Sequence, residues 1–237
     1  MTSSFPATRW SIIAAATAGD GGKSAQVALA ELCRLYWFPL YAFARWKGLS
    51  AEDAEDATQS FFHHLLESEM MAAANPALGR MRTFLLKAFS DKLIDLKRAE
   101  GRLKRGGGVQ FISLDLSEAE LRYETAPTMD FEASWATALL EAAVRKLETD
   151  YTDSNRHEIF SALLPYLGTS TGEPPDQAQL ATQLGMSHAA LRQSLARFRE
   201  RFRTTLRTTI ADTLREPTES AIDEELRVLS SVLMAGS

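Results

Sequence analysis

Two groups of side chains in this 237-residue sequence have the types that do chemistry. Asp53, Glu55, Asp56 and the pair His63-His64 offer the donors of a metal centre or an acid-base site, while an arginine-rich stretch from residue 188 to 207 offers donors for phosphates or base edges. Spacing argues against the first. A helical metal site needs His-x-x-x-His or Glu-x-x-His, but Glu55 stands eight residues before His63. Adjacent histidines on a helix also diverge by about 100°. His157 stands alone, and Cys33, without a ligand-like neighbour, reads as a small buried apolar side chain. No Ser/His/Asp or Cys/His set has a workable spacing, so no catalytic residue, metal or cofactor is expected, and the chain does not read as an enzyme. Gly106-Gly107-Gly108 lacks the Gly-Lys-Ser/Thr ending of a phosphate loop and does not join a strand to a helix.

The arginines are better placed. Asp176 suits an N-cap for a short helix with Leu180, Ala181 and Leu184 inward, followed by Leu184-Gly185-Met186-Ser187. Glycine can leave the first helix in the left-handed conformation, Met186 plugs the angle, and Ser187 caps a second helix: a helix-turn-helix pattern. The second helix carries Leu191, Leu195, Phe198, Phe202 and Leu206 on one face and Arg192, Arg197, Arg199, Arg201, Arg203 and Arg207 on the others. In such a motif the early residues His188, Ala189, Arg192 and Gln193 are placed for base edges, and Arg197, Arg199 and Arg203 for phosphates. The arginine fork suits both. An ordinary helical hairpin with an arginine-rich solvent face is the competing reading.

Net charge, −5 overall, points the same way once it is divided along the chain. Residues 1–75 carry 5 basic and 8 acidic side chains, 76–108 carry 9 and 3, 109–175 carry 4 and 12, 176–215 carry 7 and 3, and 216–237 carry 1 and 5. Two basic blocks between acidic ones fit a protein that touches a polyanion at two places.

The elements that must hold these residues are helices. Apolar spacing is helical almost throughout, only Val109 to Leu116 hints at extended chain, and the class is all-α with two helical domains. Ser50-Ala51-Glu52-Asp53 caps a helix with Ala54, Ala57, Thr58, Phe61, Phe62, Leu65 and Leu66 in its buried stripe. After Asn75-Pro76 a second helix runs from about 79 to 101 with Phe84, Leu85, Ala88, Phe89, Leu93 and Leu96 inward and Lys87, Lys92, Lys97 and Arg98 outward. The expected organisation is a first domain over 8–105, an acidic linker over 106–130, a second domain over 131–215 and an acidic tail over 216–237, whose Ile222, Leu226, Leu229 and Leu233 have helical spacing.

Both motif regions resemble extracytoplasmic-function (ECF) sigma factors. Ala181-Thr182-Gln183-Leu184-Gly185-Met186-Ser187, with Ala190-Leu191-Arg192 and Leu195-Ala196-Arg197-Phe198-Arg199, is similar to the family's fourth region, which implies reading of the upstream promoter element. Asp53-Ala54-Glu55-Asp56-Ala57-Thr58-Gln59-Ser60-Phe61-Phe62 resembles its second region, which implies a grip on core RNA polymerase through Asp53, Asp56, Gln59 and Phe62. Phe84-Leu85 through Asp95 and Arg98 resembles the adjoining helix, which implies contact with the downstream element through Lys87, Asp91, Lys92, Asp95 and Arg98. Asp91 stands where the family usually has Asn, and Gln177 and Gln179 replace a common acidic residue. Thr8-Arg9-Trp10-Ser11 and Asp223-Glu224-Glu225-Leu226-Arg227 resemble a branch common in planctomycetes.

The expected partners are core RNA polymerase and promoter DNA, with an anti-sigma factor or a regulatory kinase as a further possibility. No apolar run reaches the roughly 18–20 residues that cross a bilayer and the start lacks a signal-peptide pattern, so a cytoplasmic protein without membrane insertion is expected. Two other functions compete: a helix-turn-helix regulator working without polymerase, and a helical adaptor or anti-sigma-type protein. The acidic-capped helix coupled to a basic helix is needed by a sigma factor and not by a simple repressor.

Overall fold

The computed structural model describes residues 23–67, 80–100, 119, 123, 131–168 and 173–235. Among these there is no strand, only an isolated antiparallel bridge between Arg80 and Leu214. The helices are α1 (Lys23–Trp46), α2 (Ala51–Glu67), α3 (Met81–Glu100), α4 (Phe131–Asp153), α5 (His157–Leu163), α6 (Gln177–Gln183), α7 (His188–Ala211) and α8 (Glu219–Ala235), with a 3-10 turn over Leu164–Leu167. The possible extended stretch 109–116, the Gly106–Gly108 triplet and Thr8–Ser11 lie outside the described residues.

The chain divides into two compact units: Met1–Ala138 with Ile210–Ser237, and Leu139–Thr209. The sequence reading puts the boundaries elsewhere. Residues 131–138 and 210–215, expected in the second domain, group with the first unit, and so does the tail. Of the expected linker, Ala119 is buried and Tyr123 lies beneath the Arg45 guanidinium, 5.1 Å from its ring centre.

In the first unit α1, α2 and α3 share a core. Tyr36, Leu40 and Tyr41 of α1, Phe61 and Leu65 of α2, and Leu85 and Phe89 of α3 are nearly or wholly buried, and the Phe61 ring meets Phe89 edge-on at 5.2 Å. Pro39 lies inside α1, where a lost hydrogen bond would cost an isolated helix about 3 kcal/mol; burial of its neighbours offsets that cost. Gly48, at φ 89°, ends α1, with the Leu49 N–H reaching the Ala44 carbonyl at 3.2 Å. Ser50 then caps α2 as expected: Asp53 N–H donates to its Oγ at 3.1 Å, and the hydroxyl donates to Asp53 Oδ2 at 2.6 Å. Leu96, expected inward, is 36% exposed beside Ile94 at 49%, because the inner stripe of α3 ends at Leu93.

The second unit is built on Leu147, Tyr151, Phe160, Leu163, Tyr166, Leu180, Ala181, Leu191, Leu195 and Phe198. Tyr151 and Phe160 present ring edges to Phe198 at 5.6 and 6.0 Å.

Candidate nucleic-acid interface

The helix-turn-helix is assembled by local hydrogen bonds. Asp176 accepts from the N–H groups of Ala178 at 2.9 Å and Gln179 at 3.0 Å, starting α6. Gly185, at φ 63°, lets the Met186 N–H return to the Ala181 carbonyl at 2.9 Å, closing that helix. Ser187 then receives the Ala190 N–H on its Oγ at 3.2 Å and starts α7. Met186 is half-buried in the angle, and Leu180, Ala181, Leu191 and Leu195 seal the two helices together.

Burying Leu191, Leu195 and Phe198 turns the opposite side of α7 to solvent. His188, Ala189, Arg192, Gln193, Arg197, Arg199 and Arg203 are all exposed. Their spacing divides them: Arg192, Arg199 and Arg203 stand seven and four residues apart and share a row with His188, whereas Arg197 lies well round the helix. Some are already engaged. Arg199 reaches the Tyr166 carbonyl at 3.4 Å, Arg203 pairs with Glu200 at 2.7 Å, and Arg201 covers the Tyr151 ring at 5.5 Å. Arg192 and Arg197 have no ion pair, hydrogen bond or ring contact with the described residues, so their forks are open to an incoming polyanion.

The first unit carries a second charged surface. Lys87, Asp91 and Asp95 follow one another every four residues along the exposed side of α3. Lys92 is half-buried beside them, and burial holds its ammonium below the usual lysine range. Arg98 lies on α3, but its side chain is outside the described residues. On α2, Asp53 and Asp56 are exposed, and Gln59 is half-buried with its amide donating to Glu55 at 2.8 Å. Phe62 is buried, as its place in the apolar stripe requires. It is 5% exposed, with its ring 5.8 Å from Phe61.

At the opposite end of α3 the structure joins residues that spacing did not connect. Arg80 pairs with Glu224 at 2.6 Å and with Glu225 at 2.7 Å. Arg82 donates from Nε to Glu225 at 3.0 Å, contacts the Glu132 carboxylate, and lies 4.8 Å over the Trp135 ring. Burial opposes the charge on Arg82, but the carboxylates of Glu225 and Glu132 outweigh it and hold its pKa above the ordinary value. Hydrogen bonding from Arg80 holds Glu224 below the usual carboxylate range.

Among the described residues no cluster of three or more histidine, cysteine or acidic side chains could hold a metal, and no helix is long and apolar enough to cross a membrane. Cys33 is half-buried, and burial pushes its thiol up to about 12, far from a reactive thiolate. The sequence profile described as ECF sigma factor matches residues 58–208. No curated protein and no solved structure matches the chain.

Proposed function

The chain belongs to the ECF sigma factor family, whose members are non-enzymatic factors of transcription initiation, and from this premise we propose that it binds core RNA polymerase and directs it to promoter DNA at two places. The observation that carries the reading is the exposed arginine row of α7 on a fully capped helix-turn-helix, within the span matched to the family. In this proposal residues 131–215 supply the upstream contact, with His188, Ala189, Arg192 and Gln193 at base edges and Arg197, Arg199 and Arg203 at phosphates. Residues 8–105 supply the polymerase grip through Asp53, Asp56 and Gln59, with Phe62 holding α2 from behind. Lys87, Asp91, Lys92, Asp95 and Arg98 supply the downstream contact. An anti-sigma factor or a kinase would act on this assembly, and a cytoplasmic site of action follows from the partners proposed.

Run-off transcription with purified core polymerase and a genomic promoter library tests the proposal. Selective transcripts are expected from the intact chain and should vanish with Asp56→Ala, Gln59→Ala, one exposed and one half-buried position outside the core of α2. DNA binding without any polymerase-dependent initiation would replace the proposal with a plain repressor.

Arg192→Ala separates the two surfaces. Loss of one base-edge fork costs about 1–3 kcal/mol, so transcription from the chain's own promoter should fall about 5- to 150-fold while polymerase binding is unchanged. An equal fall in both would remove α7 from promoter recognition. Arg197→Ala should instead weaken binding to all sequences and lower the salt slope by about one.

A further inference from the structure

The C-terminal helix α8 is acidic, with 1 basic and 5 acidic side chains over residues 216–237, yet it sends one carboxylate into the protein interior. Glu225 is 1% exposed, between Ile222 and Leu229 on the buried face of α8. Its two oxygens meet Arg80 and Arg82, at the head of the helix whose far surface is proposed to contact the downstream element. The neighbouring Arg80–Glu224 pair is open to solvent, its side chains 31% and 52% exposed. The chain leaves the first unit after Ala138 and rejoins it at Ile210, ahead of α8, with Ile210 and Leu214 buried and the Met81 N–H donating to the Thr213 carbonyl at 3.2 Å.

Three features make this attachment releasable. Apart from Glu225, only Ile222 and Leu229 of the 17-residue α8 are fully buried, and its other apolar contacts, Leu226, Val228, Val232 and Leu233 among them, are half-buried. A buried ion pair gives back in desolvation much of what it gains in attraction, so it specifies a partner better than it secures one. Guanidinium groups also bind phosphate by the same forked geometry as carboxylate, so nucleic acid competes for the same two arginines.

We infer that α8 is an autoinhibitory latch: Glu224 and Glu225 occupy Arg80 and Arg82 in the free chain, and the phosphate backbone of promoter DNA, delivered by polymerase, displaces them. The inference rests on the sigma-factor reading and deepens it. With the latch closed, the first unit hides two arginines behind acidic side chains, and the free chain binds promoter duplex weakly. Opening it uncovers the Arg80 guanidinium and leaves Arg82 with Glu132 as its remaining carboxylate partner.

The test uses the full chain, a fluorescein-labelled promoter duplex recovered from the run-off library, and core polymerase. Glu224→Gln, Glu225→Gln keeps side-chain shape and removes both charges, and should raise duplex affinity in the absence of polymerase about tenfold, within the usual range of intramolecular coupling. Glu224→Gln alone alters only a solvent-exposed pair, leaves the fold intact, and should give a rise of about two- to threefold. Hydrogen exchange of α8 should be slow in the free wild-type chain and at least about tenfold faster in the polymerase–promoter complex. Unchanged affinity in a folded Glu224→Gln chain, or equal protection of α8 in a complex that makes selective transcripts, overturns the latch and leaves the sigma-factor reading standing. Absence of selective transcripts from the wild type removes both.

Discussion

Phe198→Ala should unfold the second unit, with a loss of about 3–5 kcal/mol, the usual cost of removing a wholly buried phenylalanine. The residue is fully buried, and it is where the rings of Tyr151 and Phe160 converge on α7. A unit running from Leu139 to Thr209 is small, and domains of that size hold about 4–11 kcal/mol of stability in total. One cavity therefore removes a large fraction of it. Hydrogen exchange should show faster exchange across Leu147 to Phe198 while α1 and α2 keep their protection. Promoter binding should be lost for every sequence, the opposite of the selective defect expected from Arg192→Ala. Protection of the second unit at the wild-type level would mean that Phe198 is not its keystone.

Arg82→Met should destabilise the first unit by about 3 kcal/mol, because it leaves the buried Glu225 carboxylate with one fewer partner and strips Glu132 of its own. Arg82 serves three groups at once: Nε and Nη2 face Glu225, Nη1 faces Glu132, and the guanidinium plane covers Trp135. A lysine ammonium cannot reproduce that fork, so Arg82→Lys should recover little. Adding Glu225→Gln to Arg82→Met removes the stranded charge and should restore about 1 kcal/mol or more, a coupling that a double-mutant cycle reads directly. The measurement belongs on amides of α3 and α8, since a chain of two units need not unfold in one step. If the effects of the two substitutions simply add, the network does not act as a unit.

Short-range features of this protein are legible in its sequence. The caps at Ser50, Asp176 and Ser187, the turn at Gly185 and the buried stripes of α2 and α7 depend on residues within four or five positions of one another. The all-α class follows from the same local periodicity, and so does the arginine row of α7, because burying one face leaves the others to solvent. Phe62 follows the same local rule: its place in the apolar stripe of α2 turns it inward, edge-on to Phe61. Leu96 departs from that rule: an apolar residue at the right spacing, it is 36% exposed.

By itself, then, the sequence determined the helices, their caps, the helix-turn-helix and the charge blocks, since each is set by backbone geometry and solvation over a few residues. The tertiary structure decided which distant pieces form one core. Arg82 and Glu225 meet across 143 residues, and the tail that carries Glu225 completes the first unit and not the second, although it follows the second in sequence. No local pattern encodes such a pairing. It exists because a buried carboxylate must find a cation, and the head of α3 is where the folded chain brings two within reach.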